Sequence, residues 1–371
     1  MSIATIEVSV SALLHNVNLF RQLSPTSQIM AIVKANAYSH GKNKIATILD
    51  RVVDYFGVAR LEEGIELRKI GVQFPILILE GLFLHDCPSQ LVDYNLQTVI
   101  HCAQQIETLR KMSLPVNSLD VWFKLDSGMH RLGFRPEEAK DYFQQLADLA
   151  CVKKPINIIS HFSSADELNS AQTLHQMATF DLFINSIDDQ SLLGKQSIAA
   201  SGGILAWPMS HRDVIRPGIA LYGVSPFSYS EANKAIAAEF GLKSVMTFKS
   251  EIITVREHKK DESLGYGLIW QAKHDTRLAV VAMGYGDGYP RDILPDTPVW
   301  INDRLVPIVG RVAMDMILVD LGPQATDQAG DEVIFWGNAA LPVEKIAAHS
   351  GMSAYELLTR LTERAKLRYV D

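Results

Sequence analysis

Short runs of apolar, β-branched residues recur along roughly the first 220 residues, and segments with helical spacing separate them. Within each run the apolar side chains follow one another instead of alternating with polar ones. Strands of a parallel sheet show this pattern because helices cover both of their faces. About eight such strand–helix units close a (β/α)8 barrel. The rhythm therefore predicts an α/β fold that begins with a TIM-like barrel.

The predicted strands are the apolar runs themselves. They are Ile29–Lys34, Tyr55–Ala59, Pro75–Leu79, Gln97–Cys102, Val121–Lys124, Ile156–His161, Ser197–Ala200 and Gly218–Tyr222. After about Ala235 the character of the chain changes, since shorter strands with turn signals replace the strand–helix rhythm. We therefore expect a barrel domain over residues 1–235 and a mostly β domain over residues 236–371. Helical spacing returns at Pro342–Leu367 and predicts terminal helices.

Composition limits the kind of partner that the chain can have. The formal net charge is −7, whereas a general nucleic-acid surface normally carries a basic excess. No apolar run approaches the ~20 residues that span a bilayer. The opening residues lack a secretory-signal pattern, so we expect a cytoplasmic protein with neither a nucleic-acid nor a membrane partner. The three cysteines are widely spaced and match no ligand pattern, so we predict no metal site.

The carboxyl ends of the predicted strands carry the candidate chemistry, as they do in barrels of this kind. Lys34 ends the first strand, where a low dielectric disfavours its ammonium, and a neutral amine can form a Schiff base. By position alone, a lysine whose tip reaches solvent at the barrel rim is the favoured alternative. Lys124, His161, Ser201 and Arg216 end or follow other strands. Serine and glycine in the late loops suit a phosphate site, because backbone N–H groups can approach phosphate oxygens closely.

The segment Ala31–Gly41 (AIVKANAYSHG) resembles the pyridoxal-phosphate (PLP) attachment segment of alanine racemases. Further segments resemble other motifs of that family and follow in the family's order. They are KLDSGMHRLGF (Lys124–Phe134), SHFSSAD (Ser160–Asp166), IRPGIALYG (Ile215–Gly223), LGYG (Leu264–Gly267), GYGDGYPR (Gly284–Arg291) and VGRVAMDM (Val309–Met316). Because several separate motifs occur in register, from about Thr5 to Leu361, the resemblance is specific.

The resemblance implies a PLP-binding barrel, a β domain and the reversible conversion of L-alanine into D-alanine. Lys34 would carry PLP covalently and act as the base on one face of the substrate Cα. Tyr266 would serve the other face, because racemisation removes a proton from one side and returns it on the other. In this family that tyrosine reaches the site from a second subunit. The resemblance therefore implies a homodimer with shared active sites and a small amino acid as substrate.

The resemblance also implies roles for other residues. Arg216 would face the pyridine nitrogen of PLP and keep it unprotonated, since a guanidinium is effectively always charged. His161 would lie between Arg216 and Tyr266. Arg131 would approach the phenolic oxygen of PLP and the substrate carboxylate, and Lys124 carries a carbamate in some members. The residues expected at the phosphate are Tyr38, Ser201, Gly218 and Ile219. Those expected at the substrate are Arg131, the backbone of Met314, and Tyr285, which would narrow the entrance.

Other interpretations of the sequence remain open at this stage. A basic amino acid decarboxylase of the same PLP fold type would pair the pyridine nitrogen with a carboxylate, where this chain has Arg216. A non-catalytic PLP carrier would be a lone barrel, without the β domain that carries Tyr266. Residues Val343–Leu361 could form a helix-turn-helix DNA-binding unit, which the net negative charge disfavours. A C-terminal tyrosine that binds the phosphate in some family members aligns near Glu363, and a carboxylate cannot take that role.

Overall fold

The structure is a computed structural model that describes residues 3–229 and 240–371. The chain divides into two compact units. The first, which we call the barrel unit, consists of residues 16–37 and 42–221. The second, the β unit, consists of residues 3–15, 38–41, 222–229 and 240–371. The predicted domain boundary after Ala235 lies outside the described residues. Across those residues, no helix has both the length and the apolar character needed to cross a membrane.

The described chain opens with strand β1 (Thr5–Ser9) and helix α1 (Val10–Leu23), and eight parallel strands then build the barrel unit. They are β2 (Gln28–Ile32), β3 (Tyr55–Val58), β4 (Ile76–Ile78), β5 (Gln97–Ile100), β6 (Val121–Lys124), β7 (Ile156–Ile159), β8 (Leu193–Ser197) and β9 (Val214–Ile215). Each strand from β2 to β7 pairs with the next, and β9 pairs with β2. An isolated parallel bridge between Ala200 and Arg216 joins the remaining two edges. The predicted TIM-like barrel is confirmed.

Seven helices of the barrel unit follow its strands. They are α2 (Lys42–Leu49), α3 (Leu61–Lys69), α4 (Ser89–Asp93), α5 (Ala103–Lys111), α6 (Pro136–Ala147), α7 (Ala171–Ser186) and α8 (Ser201–Ala206). Local sequence explains where they begin. The first residue of α6 is a proline, whose missing N–H is unpaired at that position in any helix. Ser170 caps α7, since its hydroxyl accepts the N–H of Thr173 at 3.2 Å.

Two predicted strands of the barrel were wrong. Residues Gly218–Tyr222 do not form the last strand, which is β9, and Ile219–Tyr222 form a 3-10 turn instead. The strand predicted at Ser197–Ala200 lies earlier, at β8. Its residues, LGKQS, include few apolar side chains, and an apolar-run criterion therefore passes over it. Backbone pairing with β7 and a hydrogen bond from Lys195 to the Tyr55 hydroxyl (2.6 Å) hold β8 in place.

The β unit confirms the prediction of a mostly β second part. Its strands after β1 are β10 (Met246–His258), β11 (Ser263–Leu264), β12 (Trp270–Gln271), β13 (Thr276–Val281), β14 (Pro298–Ile301), β15 (Arg304–Val309), β16 (Ile317–Asp320), β17 (Glu332–Trp336) and β18 (Lys366–Val370). Six of them, in the order β13-β16-β15-β14-β17-β10, close into a ring through the pairing of β10 with β13. Two helices, α9 (Val343–Ser350) and α10 (Ala354–Thr359), occupy the region of predicted helical spacing.

Strands β1 and β18, which extend the sheet of the β unit, were not predicted. β1 pairs antiparallel with β10 and parallel with β18. The helical pattern predicted to continue to Leu367 is therefore wrong at its end, because β18 already begins at Lys366. Only the pairing of these two strands with each other and with β10 defines them, and pairing between distant segments leaves no local signal.

Candidate active site

Arg216 follows β9 directly and is the most buried charged side chain of the candidate site, with 3% of its surface exposed. Its guanidinium donates to the carbonyl of Ser160 (2.6 Å), to the carbonyl of Ile198 (3.3 Å) and to the hydroxyl of Ser197. These acceptors lie at the carboxyl ends of β7 and β8. Burial lowers the pKa of Arg216 to about 9, which still leaves the group charged at neutral pH. Arg216 is therefore a fixed cation at the edge where three strands end.

His161 lies beside Arg216, with 3.4 Å between its Nδ1 and the arginine Nη2. The backbone carbonyl of His161 accepts from the Gln176 side chain at 3.0 Å, which fixes the loop after β7. Burial lowers the pKa of His161 well below its ordinary value, and the positive charges of Arg216 and Lys124 lower it further. Part of the His161 side chain is accessible to solvent. Burial and the neighbouring charges nevertheless both lower its pKa. His161 is therefore neutral, and its Nδ1 can accept a hydrogen bond from Arg216.

Lys124 ends β6, and a short loop brings Arg131 back towards it. The loop is closed by two backbone hydrogen bonds of 2.9 Å, from Asp126 to Phe134 and from Phe134 to Lys124. The Asp126 carboxylate accepts three successive backbone N–H groups within the loop. Gly133 has a φ of +124°, and a Cβ there would come within 2.7 Å of the Asp126 nitrogen. The loop thus has one conformation, which fixes the position of Arg131.

Positive charge accumulates where these strand ends meet. The pKa of Lys124 is lowered from its ordinary value to about 7. Burial is the largest cause, the charges of Arg216, Arg131 and Lys34 act in the same direction, and Asp126 opposes them. The positive charges of Lys34 and Arg131 also lower the pKa of His161. Asp126 is the acidic group that acts on Lys124, and its own carboxylate is engaged by the loop. An anionic ligand would relieve this repulsion, so the cluster suits a phosphate ester or a carboxylate.

Ser201, Gly218 and Ile219 come together between α8 and the turn that follows β9. The Ser201 hydroxyl accepts the backbone N–H groups of Gly218 (3.1 Å) and Ala220 (3.2 Å). Ile219 begins the 3-10 turn between them and is fully buried. A hydroxyl and several backbone N–H groups at one place are donors of the kind that hold a phosphate. Tyr38, the fourth residue predicted for that role, belongs to the β unit.

Lys34 lies two residues beyond β2 and is partly exposed. The five residues after it, Ala35–Ser39, all have positive φ values between 52° and 63°, and none is glycine. The left-handed conformation costs roughly 1–2 kcal/mol for each such residue. A backbone hydrogen bond of 2.9 Å from Ala37 to Val33 spans the start of this segment, which we call the left-handed turn. Strain on this scale persists only where neighbouring contacts hold it, and such strain is typical of functional sites.

Tyr266, Tyr285 and Met314 all lie in the β unit. Tyr266 begins a tight turn between β11 and β12 and has 72% of its surface exposed. Its neighbours Gly265 and Gly267 have φ values of 70° and 75°, which a side chain would strain. The structure brings Tyr285 and Met314 together, because the N–H of Gly286 donates to the Met314 carbonyl at 2.9 Å. A Cβ at Gly284 would lie 2.2 Å from the same oxygen.

An aromatic partner of Tyr38 was missed in the sequence. The ring of Tyr355, in α10, lies with its centroid 6.2 Å from that of Tyr38, and the ring of Tyr222 lies at 5.0 Å. Burial and then Tyr355 raise the pKa of Tyr38 above its ordinary value. Tyr355 is therefore a second candidate, besides the position near Glu363, for the C-terminal tyrosine of the family. The Ser353 cap, whose hydroxyl accepts the Tyr355 N–H at 3.2 Å, marks a helix start and could have located this tyrosine.

Comparison with known proteins covers both units. The model of the alanine racemase N-terminal domain matches residues 8–226, and that of the alanine racemase C-terminal domain matches residues 245–369. The chain is 53% identical to alanine racemase of Pectobacterium atrosepticum, over all of this chain and 99% of that protein. It is 50% identical to the biosynthetic alanine racemase of Escherichia coli K12, over the full length of both chains.

Solved structures agree with these matches. The biosynthetic alanine racemase of Pseudomonas aeruginosa superimposes with a TM-score of 0.92 at 39% identity, with both chains fully covered. Alanine racemase of Bartonella henselae, which was solved with covalently bound pyridoxal phosphate, superimposes with a TM-score of 0.87 at 27% identity, again over the full length of both chains. Since both domain models match in order and the relatives align along the whole sequence, this chain belongs to the alanine racemase family.

Proposed function

We propose that the protein interconverts L-alanine and D-alanine with PLP bound to Lys34. The observation that carries this proposal is the cationic cluster at the strand ends of the barrel unit. Arg216, Lys124 and Arg131 all act electrostatically on His161, and so does Lys34. A cofactor with a phosphate and a phenolic oxygen, together with a substrate carboxylate, supplies the negative charge that this cluster lacks.

The residues present fit PLP at each of its polar groups. Ser201, Gly218 and Ile219 would hold the phosphate, with Tyr38 as a further donor. Arg216 would donate to the pyridine nitrogen. Its hydrogen-bond partners among the described residues are two carbonyls, a hydroxyl and an imidazole, and none of these is a carboxylate. That set disfavours the decarboxylase interpretation, which requires a carboxylate at this nitrogen.

When bound, PLP withdraws electron density from the substrate Cα–H bond and makes its proton acidic. Arg216 would donate a hydrogen bond to the ring nitrogen without giving up a proton at neutral pH, so it would keep that nitrogen unprotonated and limit the withdrawal. Return of the proton to Cα would then be favoured over its transfer elsewhere. His161, neutral beside Arg216, would orient Tyr266 through its second ring nitrogen. Arg131 would hold the substrate carboxylate, with the backbone of Met314 on its other side and Tyr285 at the entrance.

Lys34 and Tyr266 would exchange the Cα proton from opposite faces. For one enantiomer, the amine of Lys34 would remove the proton from Cα, and the phenol of Tyr266 would donate a proton to the opposite face of Cα. In the reverse direction Tyr266 would act as the base and Lys34 as the acid. Lys124 would carry a carbamate, which a neutral amine forms with carbon dioxide and whose negative charge would brace Arg131. The pKa of about 7 leaves a large fraction of this amine neutral at physiological pH.

The active form would be a homodimer in which each subunit completes the site of the other. Tyr266, Leu268 and Ile269 are exposed by 72%, 64% and 57%, which is unusual for apolar side chains that follow one another in one turn. A second copy of the chain would cover them and bring Tyr266 to the cationic cluster of its partner. A cytoplasmic location stays a prediction.

A deuterium-exchange assay tests the proposed function. The purified protein, loaded with PLP, should be yellow and should convert each alanine enantiomer into the other, with solvent deuterium appearing at Cα. Lys34→Ala should abolish covalent attachment of PLP. Tyr266→Phe should lower the rate of racemisation by at least about a hundredfold, as expected for loss of a general acid–base group. Carbon dioxide release from lysine or ornithine, without exchange in alanine, would instead support a decarboxylase.

A further inference from the structure

The side chain of Glu63 connects the ends of two neighbouring strands of the barrel unit. Glu63 lies in the first turn of α3, after β3. Its Oε1 accepts the backbone N–H of Ala35 at 2.9 Å, just beyond β2. Its Oε2 accepts the backbone N–H groups of Ala59 (2.8 Å) and Arg60 (3.2 Å), just beyond β3. One carboxylate thus receives three backbone donors from two chain segments.

The donor at Ala35 is the peptide N–H that immediately follows Lys34. Ala35 is also the first residue of the left-handed turn, with a φ of 52°. Holding this N–H fixes the plane of the peptide that joins Lys34 to Ala35, and this plane sets the direction in which the lysine side chain leaves the backbone. No other acceptor for this N–H is recorded in the described part of the chain.

The far side of the left-handed turn is anchored separately. The side-chain oxygen of Asn36 accepts the backbone N–H of Lys42 at 2.9 Å. The Lys42 ammonium in turn contacts the carboxylate of Glu66, one turn further along α3, at 2.6 Å. These contacts do not involve Glu63. Loss of the Glu63 bond would therefore free the peptide between Lys34 and Ala35, whereas the Asn36 anchor and the bond from Ala37 to Val33 would remain.

We propose that Glu63 is a positioning residue for Lys34: its carboxylate holds the first peptide of the left-handed turn and thereby aims the lysine at the reactive site. The inference rests on the proposed function, in which Lys34 carries PLP and transfers a proton. Glu63 acts through the backbone and does not itself contact the substrate.

Glu63 has a simpler role from which this proposal must be distinguished. A glutamate in the first turn that accepts the N–H of the residue before the helix is a capping interaction, and glutamine caps as well as glutamate does. Glutamine has only one acceptor oxygen, so Glu63→Gln can keep the bonds to Ala59 and Arg60 only by turning its NH2 group towards the Ala35 N–H. The variant preserves the cap and loses the bond beside Lys34.

The test compares Glu63→Gln with Glu62→Gln, a matched control. Glu62 is the exposed neighbour in the same helical turn, so its substitution removes the same charge. PLP is added to each apoprotein, and attachment to Lys34 is followed over time by borohydride reduction and mass spectrometry. We expect attachment to be about tenfold slower in Glu63→Gln, as loss of one hydrogen bond to a charged acceptor implies. The control should stay within about twofold of wild type.

A second readout separates positioning from folding. Amide hydrogen exchange in the apoprotein should speed up at Ala35 and remain unchanged at Ala59 and Arg60. In the loaded enzyme, the Cα-deuterium isotope effect should change unequally in the two directions, because only one proton transfer uses Lys34. If Glu63→Gln does not fold, Glu63→Asp serves instead, since it keeps the charge but is too short to bridge both strand ends.

The outcomes distinguish the inference from the function on which it rests. Wild-type attachment and exchange rates in Glu63→Gln, in an enzyme that racemises alanine, would overturn the positioning role and leave only a cap. A wild-type protein that neither attaches PLP at Lys34 nor racemises alanine would overturn the proposed function. In that case faster exchange at Ala35 in Glu63→Gln would still establish that Glu63 holds this peptide.

Discussion

Lys124 shows how strongly its surroundings can change the chemistry of a single residue. Its amine lies at the end of β6 among Arg216, Arg131 and Lys34, and burial adds to the repulsion that these groups exert on its positive charge. The folded protein therefore favours the neutral amine, whereas the unfolded chain favours the ammonium up to the ordinary pKa of 10.5. This difference links protonation of Lys124 to the stability of the fold.

We predict that the wild-type apoprotein gains stability relative to Lys124→Met between about pH 7 and pH 10.5 in buffer free of carbon dioxide. Between these values the unfolded lysine binds a proton that the folded one does not, so the free energy of unfolding rises with pH. The slope is at most about 1.4 kcal/mol per pH unit for one proton. Below about pH 7 Lys124 is protonated in both the folded and the unfolded state. The destabilisation caused by its buried charge is then at its maximum and should no longer change with pH. Urea unfolding across this pH range measures the free energy of unfolding of both proteins. If this free energy varies with pH in the same way for wild type and Lys124→Met, the prediction is contradicted.

At the scale of single residues, the sequence predicted side chains that end strands better than those that lie between elements. His161 follows β7 and Arg216 follows β9, and a barrel brings the carboxyl ends of all its parallel strands to one edge, so both residues were expected at that edge. Tyr355 could not be found in the same way. It approaches Tyr38 only because the β unit places α10 beside residues that follow β2 in the sequence. The roles of the site residues remain proposals.

The turn after β13 depends on several distant segments. Asp287 accepts the N–H of Gly284 at 2.9 Å, and Arg364 contacts both Asp287 (3.3 Å) and Asp315 (2.8 Å). The Asp287 side chain is only 6% exposed, so its charge needs a partner. Arg364 therefore ties the turn that carries Tyr285 to the segment that carries Met314.

We predict that Arg364→Ala raises KM for alanine several-fold with a smaller effect on kcat, because the Tyr285 turn and the Met314 backbone lose their shared support. The free energy of unfolding should also fall, since the buried Asp287 carboxylate loses its cationic partner. Arg360→Ala is the control, because the ion pair that Arg360 forms among the described residues is with the exposed Glu356, at 3.4 Å. Steady-state kinetics and urea unfolding supply both values. A KM equal to that of wild type would refute the link between Arg364 and the substrate entrance.

Among the elements, strands with buried apolar faces were predicted closely and strands defined by pairing were not. Val121–Lys124 has the predicted bounds, and the strand predicted at Tyr55–Ala59 begins at the predicted residue and ends one residue early. β8, which has mainly polar residues, was predicted too late in the chain. The left-handed turn after Lys34 was not predicted. A run of positive φ values normally calls for glycine, and this turn has none, so neighbouring side chains such as Glu63 must enforce it.

For the molecule as a whole, the most informative surface is the exposed apolar turn at Tyr266, Leu268 and Ile269. Burial of apolar surface is the main favourable contribution to most protein association. The same turn carries the tyrosine proposed as a catalytic acid–base group. Association between subunits and catalysis would therefore depend on the same residues.

We predict that Leu268→Asp weakens self-association about a hundredfold, because a charge would be buried in an apolar interface at a cost of about 2.7 kcal/mol. Specific activity should then rise with protein concentration as dimers form again. Leu182→Asp is the control, since Leu182 is 70% exposed on helix α7 of the barrel unit and does not belong to the Tyr266 turn or to a strand end. Sedimentation velocity over a range of concentrations measures the effect. An unchanged sedimentation coefficient in Leu268→Asp at every concentration would rule out this interface.

The pairing of β1 with β10 and β18 has a consequence for how the protein forms in the cell. A ribosome releases β1 before any residue of the barrel unit, yet both of its partner strands are translated after that unit. β1 therefore remains unpaired while all eight barrel strands are synthesised. During that interval its exposed edge can pair incorrectly with other strands. The short length of β1 limits incorrect pairing, because its five residues offer few backbone donors and acceptors to another strand.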